Sequence, residues 1–163
     1  MIDGRLSPAA LLLTAGCAVA HAPSASTAAD VHVPSGWDRA HDVFHYAPAI
    51  RAGNFLYLSG VVAGFRDETQ ADEEAAYVRA FEAIGEILNA AGADWDHVIA
   101  IDTFHTDLPA QVDTFNAVKD RYLEAPYPTA TAIDVDRLYP DGGLVEIKIT
   151  AWLGGPRTRV KTE

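Results

Sequence analysis

The chain has 163 residues, 49% of them apolar and 21% charged, enough for one domain with a substantial core and too few for two of ordinary size. Its 23 acids against 12 bases give a net charge of -11, and no Lys/Arg cluster offsets it, which argues against a nucleic-acid partner because a polyanion is repelled. The single cysteine excludes an intrachain disulfide and a cysteine-based metal cluster.

Residues 1–22, "MIDGRLSPAALLLTAGCAVAHA", carry one Arg and then an apolar run too short for a stable membrane anchor. This pattern predicts a signal peptide or a lipoprotein signal. "TAGC" resembles a lipobox that would leave Cys17 as a lipidated first residue, whereas "AVA" at 18–20 is an ordinary small-x-small cleavage site; both stay open. The expected location is periplasmic or cell envelope, cytoplasmic if the segment is no true signal, and a membrane is a partner only if Cys17 is lipidated. Residues 23–37, rich in Pro, Ser and Ala, read as a linker. The folded domain is expected over 38–155, with a tail at 156–163.

Within that domain "FHYAP" suggests a short strand, "AGN" a turn, and "FLYLSGVVAG" a second strand closed by glycine. Over 69–92 the period changes. Tyr77, Phe81, Ile84, Leu88 and Ala91 fall on one helix face, with Thr69 or Asp67 as cap and Gly92 as terminator. "HVIAIDTFHTDL" (97–108) is β-branched and strand-like, and "AQVDTFNAVKDRYL" (110–123) is helical until the prolines of "EAPYP" stop it. Strands over 129–136 and 143–153 complete the order β-β-α-β-α-β-β. In the last, Val145, Ile147, Ile149 and Ala151 alternate with Glu146, Lys148 and Thr150, a half-buried strand with a carboxylate on its polar side. Five strands and two helices predict an α+β sandwich whose uncovered sheet face packs on another copy of the chain.

Four segments in series, "YAPAIRAGNFLYLSG" (46–60), "AFEAIGEILNAAGADWDHVI" (80–99), "TDLPAQVDTFNAVKDRYL" (106–123) and "VDRLYPDGGLVEIKITA" (135–151), resemble the Rid family of reactive intermediate deaminases, also called YjgF-like. The resemblance covers roughly residues 38–154. It implies a chorismate-mutase-like fold, one mixed sheet with two helices on one face, and a homotrimer with small-molecule clefts between subunits. It also implies hydrolysis of imines and enamines to a keto acid and ammonia, without metal or organic cofactor. Glu146 matches the family's water-positioning glutamate, Tyr46 a cleft tyrosine, Ser59 a hydroxyl at a strand end, and Asn116 a recurrent helix asparagine. The family's carboxylate-clamping arginine falls on Ala130, and Ala132 on the same strand face is small too.

A charge-assisted hydrogen bond contributes roughly 1.5–3 kcal/mol, so a 2-imino acid is expected to bind about tenfold to more than a hundredfold more weakly without that arginine. The expected substrate is an uncharged or cationic imine, hydrolysed through a water held by Glu146; the alternative is a non-catalytic ligand-binding trimer in the envelope. Each residue also has a plain structural reading: Glu146 as a solvated strand residue, Tyr46 as a packing aromatic, Ser59 as a strand end, Arg137 as half of an ion pair, and Trp37, Trp95 and Trp152 as packing residues. His41 and His45 are four apart, but in a strand that spacing is about 13 Å, too far to share a metal ion.

Overall fold

The computed structural model describes residues 28–65 and 72–158. In chain order the elements are β1 (Ala29–His32), α1 (Asp38–Asp42), β2 (Ala49–Ala52), β3 (Phe55–Leu58), β4 (Val61–Gly64), α2 (Glu73–Ala90), β5 (Val98–His105), α3 (Leu108–Lys119), β6 (Thr129–Asp134) and β7 (Gly143–Trp152). They build one sheet in the order β1-β2-β3-β7-β5-β6, with β4 also paired to β7. Strands β3 and β4 share one side of β7. The first pairs at Phe55↔Trp152 through Tyr57↔Thr150, the second at Val61↔Ile147 through Ala63↔Val145. Only β5 and β6 run parallel, and their crossover carries α3. The sheet is therefore mixed, and α2 and α3 cover one face.

The alternation in β7 decides which face. Val145, Ile147, Ile149 and Ala151 are buried beneath the helices, whereas Lys148 between them is exposed and Glu146 half-buried. Tyr77, Phe81, Ile84 and Leu88 of α2 meet them from above. Aromatic rings lock the far end, with Phe81 stacked on Tyr122 at 5.0 Å and tilted against Trp95 at 5.6 Å. Asp72 caps α2 by accepting from the Ala75 backbone N–H at 3.0 Å. Of the caps expected from sequence, Asp67 and Thr69 lie outside the described residues; Asp72 directly precedes the helix and is the one that serves. Gly92, at φ +75°, takes the left-handed conformation just past the helix end.

Three sequence expectations need correction. The reading of 23–37 as linker overlooked β1, which pairs with β2 at Val31↔Ile50. An edge strand of four mostly exposed residues needs backbone pairing more than an apolar pattern, so its composition gave little sign of it. "FHYAP" is not a strand. The Tyr46 N–H donates to the Ala40 carbonyl at 3.0 Å and His45 sits at φ +58°, so this segment folds back on α1. "FLYLSGVVAG" is two strands broken at Ser59–Gly60, and with β1 and β2 added the described residues hold seven strands rather than the five expected. The expected tail also contributes to the fold. Arg157 donates to the carbonyls of Trp95, Val98 and Pro126, tying the start of β5 to the segment before β6. Cys17, the signal segment and Arg66 lie outside the described residues.

The sheet face away from α2 and α3 carries apolar side chains with no helix over them. Val31, Ile50, Tyr57 and Ile133 are 53%, 38%, 47% and 44% exposed. Register places Phe104 and Glu146 on this same face.

Candidate active site

Glu146 stands in the first half of β7, beside Phe104 of β5 and Val62 of β4. It projects where the β3–β4 edge is interrupted. There Gly60 leaves room for its carboxylate: a Cβ on Gly60 would fall 1.8 Å from Glu146 Oε1. None of the described hydrogen bonds or ion pairs occupies that carboxylate. Ser59, at the same break, donates its hydroxyl to the Ala47 carbonyl at 2.7 Å, while its N–H donates to the Pro48 carbonyl at 2.9 Å. These two bonds tie the segment carrying Tyr46 to the strand break. His45, a non-glycine residue at positive φ, turns the chain from α1 so that Tyr46 lies over the same opening.

The result is an open cavity of about 730 Å³ that brings together Tyr46, Ser59, Gly60 and Glu146. Its remaining walls are apolar, half of them aromatic: Trp37, Phe44 and Tyr139 beside Val61, Val62 and Pro140. A second groove, of about 350 Å³, runs on the other side of Glu146 past Tyr57 and Lys148. The arrangement has one unengaged carboxylate, a phenol and apolar walls, which suits holding a water against an electrophilic carbon.

The other sequence-derived residues lie elsewhere. Ala130 pairs with Ile101, and Ala132 with Thr103; those β5 residues face the helices together with Ile149 and Ile147. The alanines are thus on the opposite sheet face from Glu146, an odd number of register steps away. Both remain exposed because β6 is an edge strand that α3 only partly roofs. Asn116 of α3 joins them in a cavity of about 160 Å³. Within one chain the Glu146 cavity and the alanine cavity are therefore separated by the sheet.

Lys119 was missed in the sequence. It lines the alanine cavity, and its Nζ donates to Asn116 Oδ1 at 2.8 Å and lies 3.5 Å from Asp120 Oδ1. Its spacing three after Asn116 on one helix was the available signal. Trp37, Phe44 and Tyr139 were also missed, since their placement depends on the turn after α1 and the loop before β7. Arg137 pairs with Asp141 at 2.6 Å, as an ion pair rather than a site group, and Arg51 donates to the Gly53 carbonyl. His41 pairs with Asp42. Among the described residues no three His, Cys, Asp or Glu side chains gather to hold a metal ion.

A family model described as Endoribonuclease L-PSP matches residues 38–153. The chain belongs to this family, which includes the YjgF, RutC and Rid proteins. Among L-PSP family relatives, the RutC family protein YjgH of Escherichia coli (strain K12) is 36% identical over 120 residues, covering 72% of this chain and 90% of its own. A 2-iminobutanoate/2-iminopropanoate deaminase of Capra hircus is 35% identical over 121 residues, covering 69% and 82%. The solved structure of YjgH superposes with a TM-score of 0.67 at 32% identity, covering 79% of this chain and 98% of that one. RidA from an Antarctic Psychrobacter does so at 0.59 and 34%, covering 68% and 89%. The α+β fold is thus the YjgF fold.

One titratable group lies under the alanine cavity. His105 is fully buried, with Nε2 bonded to Thr103 Oγ1 at 3.0 Å and Nδ1 to Gln111 Oε1 at 3.3 Å. Burial pushes its pKa below the ordinary 6.5, while the Gln111 bond and the charge of Asp134 pull it back up. A histidine held neutral in the folded state and free to protonate when unfolded stabilises above its unfolded pKa. That contribution is lost as pH falls through the folded value. Urea midpoints are therefore expected to fall between pH 7.5 and pH 5, and His105→Gln to flatten that slope; equal slopes would contradict it.

Proposed function

We propose that the chain is a hydrolytic deaminase of imines and enamines, with Glu146 orienting and deprotonating the attacking water. The observation that carries this reading is the unengaged Glu146 carboxylate in an aromatic cavity with Tyr46. Water attacks the C=N carbon of the protonated imine, and a C–O bond forms as the π pair moves to nitrogen. Glu146 takes the water proton and returns it to nitrogen; the C–N bond then breaks with its electron pair on nitrogen while the hydroxyl proton passes through Glu146 to the departing ammonia, giving the carbonyl compound and ammonium. The deaminase names of several relatives support this chemistry for the present chain.

The substrate in this reading is uncharged or cationic. Ala130 offers no fork for a carboxylate. Lys119 is the cation beside it, but it is engaged with Asn116 and partly neutralised by Asp120, and its point charge does not reproduce bidentate recognition. The endoribonuclease name of the family model is not carried over, because a net charge of -11 opposes RNA binding. A second reading, non-catalytic binding of a small ligand in the envelope, is favoured by one observation: the Ser59 hydroxyl is already donated to Ala47 and is not free to shuttle protons.

The reading includes a homotrimer, in which the apolar open face is covered and each alanine half-site completes a neighbour's cavity. Sedimentation is expected to give three times the 17.5 kDa chain mass; a monomer at micromolar concentration would contradict it. Catalysis itself is tested by ammonia release from a panel of enzymatically generated imines. Turnover of at least one neutral or cationic imine is expected, and inertness toward all of them would leave the binding reading alone standing.

A further inference from the structure

We infer that the Glu146 cavity is a recognition site for an organic cation, so that the ligand carries an ammonium or iminium group on an apolar body. This deepens, and rests on, the reading of the cavity as the substrate site. Trp37, Phe44, Tyr46 and Tyr139 present aromatic rings to it, and Glu146 is the one charged side chain among the described residues that line it. Aromatic faces carry negative potential, and walls of this type with one carboxylate recognise quaternary and protonated amines. One of these rings already carries a cation of the chain itself, so recognition rests on Trp37, Tyr46, Tyr139 and Glu146. The Arg39 guanidinium lies 5.9 Å from the Phe44 ring centroid. Lys148, the nearest competing ammonium along β7, lies in the groove on the other side of Glu146 rather than in the cavity.

The size also fits. About 730 Å³ is within the range of small-molecule sites and far exceeds what ammonia or a two-carbon imine fills. The net charge of -11 adds a long-range field that draws cations and repels carboxylates. In the trimer of the proposed reading, the Ala130 and Ala132 side chains of a neighbouring copy are small and leave space for the apolar body.

The test uses three probes of nearly one shape that cannot be deaminated: choline, 3,3-dimethylbutan-1-ol and 3,3-dimethylbutanoate, titrated into the full chain by NMR. Choline is expected to bind tightest and the carboxylate weakest, with choline favoured over the alcohol by roughly two- to thirtyfold. Glu146→Gln and, separately, Tyr139→Leu are each expected to weaken choline far more than the alcohol and so erase most of that preference. Tyr139 is 79% exposed, so its replacement does not endanger the core. Equal binding of choline and the alcohol, no choline binding at all, or a preference unaltered in both variants would overturn the inference. None of the probes reports on hydrolysis. A failure here therefore leaves the ammonia assay intact, and an inert chain that still prefers choline rejects only the deaminase.

Discussion

Glu146→Gln is expected to lower kcat for imine hydrolysis by about 100- to 10,000-fold, the usual contribution of a positioned general base, while moving KM much less. The amide has the size of the carboxylate but cannot take a proton from water. The side chain is half-buried on the open face and none of the described hydrogen bonds involves it, so the fold loses little. Urea unfolding of the variant should match wild type to within about 0.5 kcal/mol, the usual range for such a surface change. Ammonia release from wild type and variant under single-turnover conditions checks it. Equal rates would remove Glu146 from the chemistry.

Gly60→Ala is the second large effect, and it acts through Glu146. The new methyl would sit 1.8 Å from Oε1 and 2.6 Å from Cδ of Glu146. The obstacle is the end of a flexible side chain, and the left-handed backbone that favours glycine elsewhere in the chain does not occur here. The carboxylate therefore swings aside and the fold survives. A displacement of about 1 Å in a catalytic group costs on the order of 100-fold in rate, so kcat should fall about that much with stability nearly unchanged. An active Gly60→Ala variant would show that the carboxylate does not need to rest over the strand break. A variant that unfolds would show that Gly60 serves packing rather than the site.

Much of this was legible in the sequence because it rests on periodicity. The 2-residue alternation through Glu146 fixed which side chains of β7 are buried, and the three-and-four spacing of Tyr77, Phe81, Ile84 and Leu88 fixed the helix face packed on them. Glu146, Tyr46 and Ser59 were expected together and share one cavity. What escaped was set by long-range pairing. Strand β1 has no apolar rhythm because it is an exposed edge. The break at Ser59–Gly60 follows from two strands sharing β7, a feature that appears only when the sheet is assembled. The separation of Ala130 from Glu146 onto opposite faces likewise needed the register across β5. Trp37, Phe44 and Tyr139 reach the cavity through turns, where local sequence says little about direction.

The most direct measurement compares kcat/KM for two imines of matched size, one bearing a carboxylate next to the C=N carbon and one bearing a methyl group there. With no arginine at 130 and a carboxylate at 146, the methyl-bearing imine should be the better substrate by about tenfold or more. A preference for the carboxylate-bearing imine would contradict the central claim, and would mean that Lys119 or another group has taken over the anion.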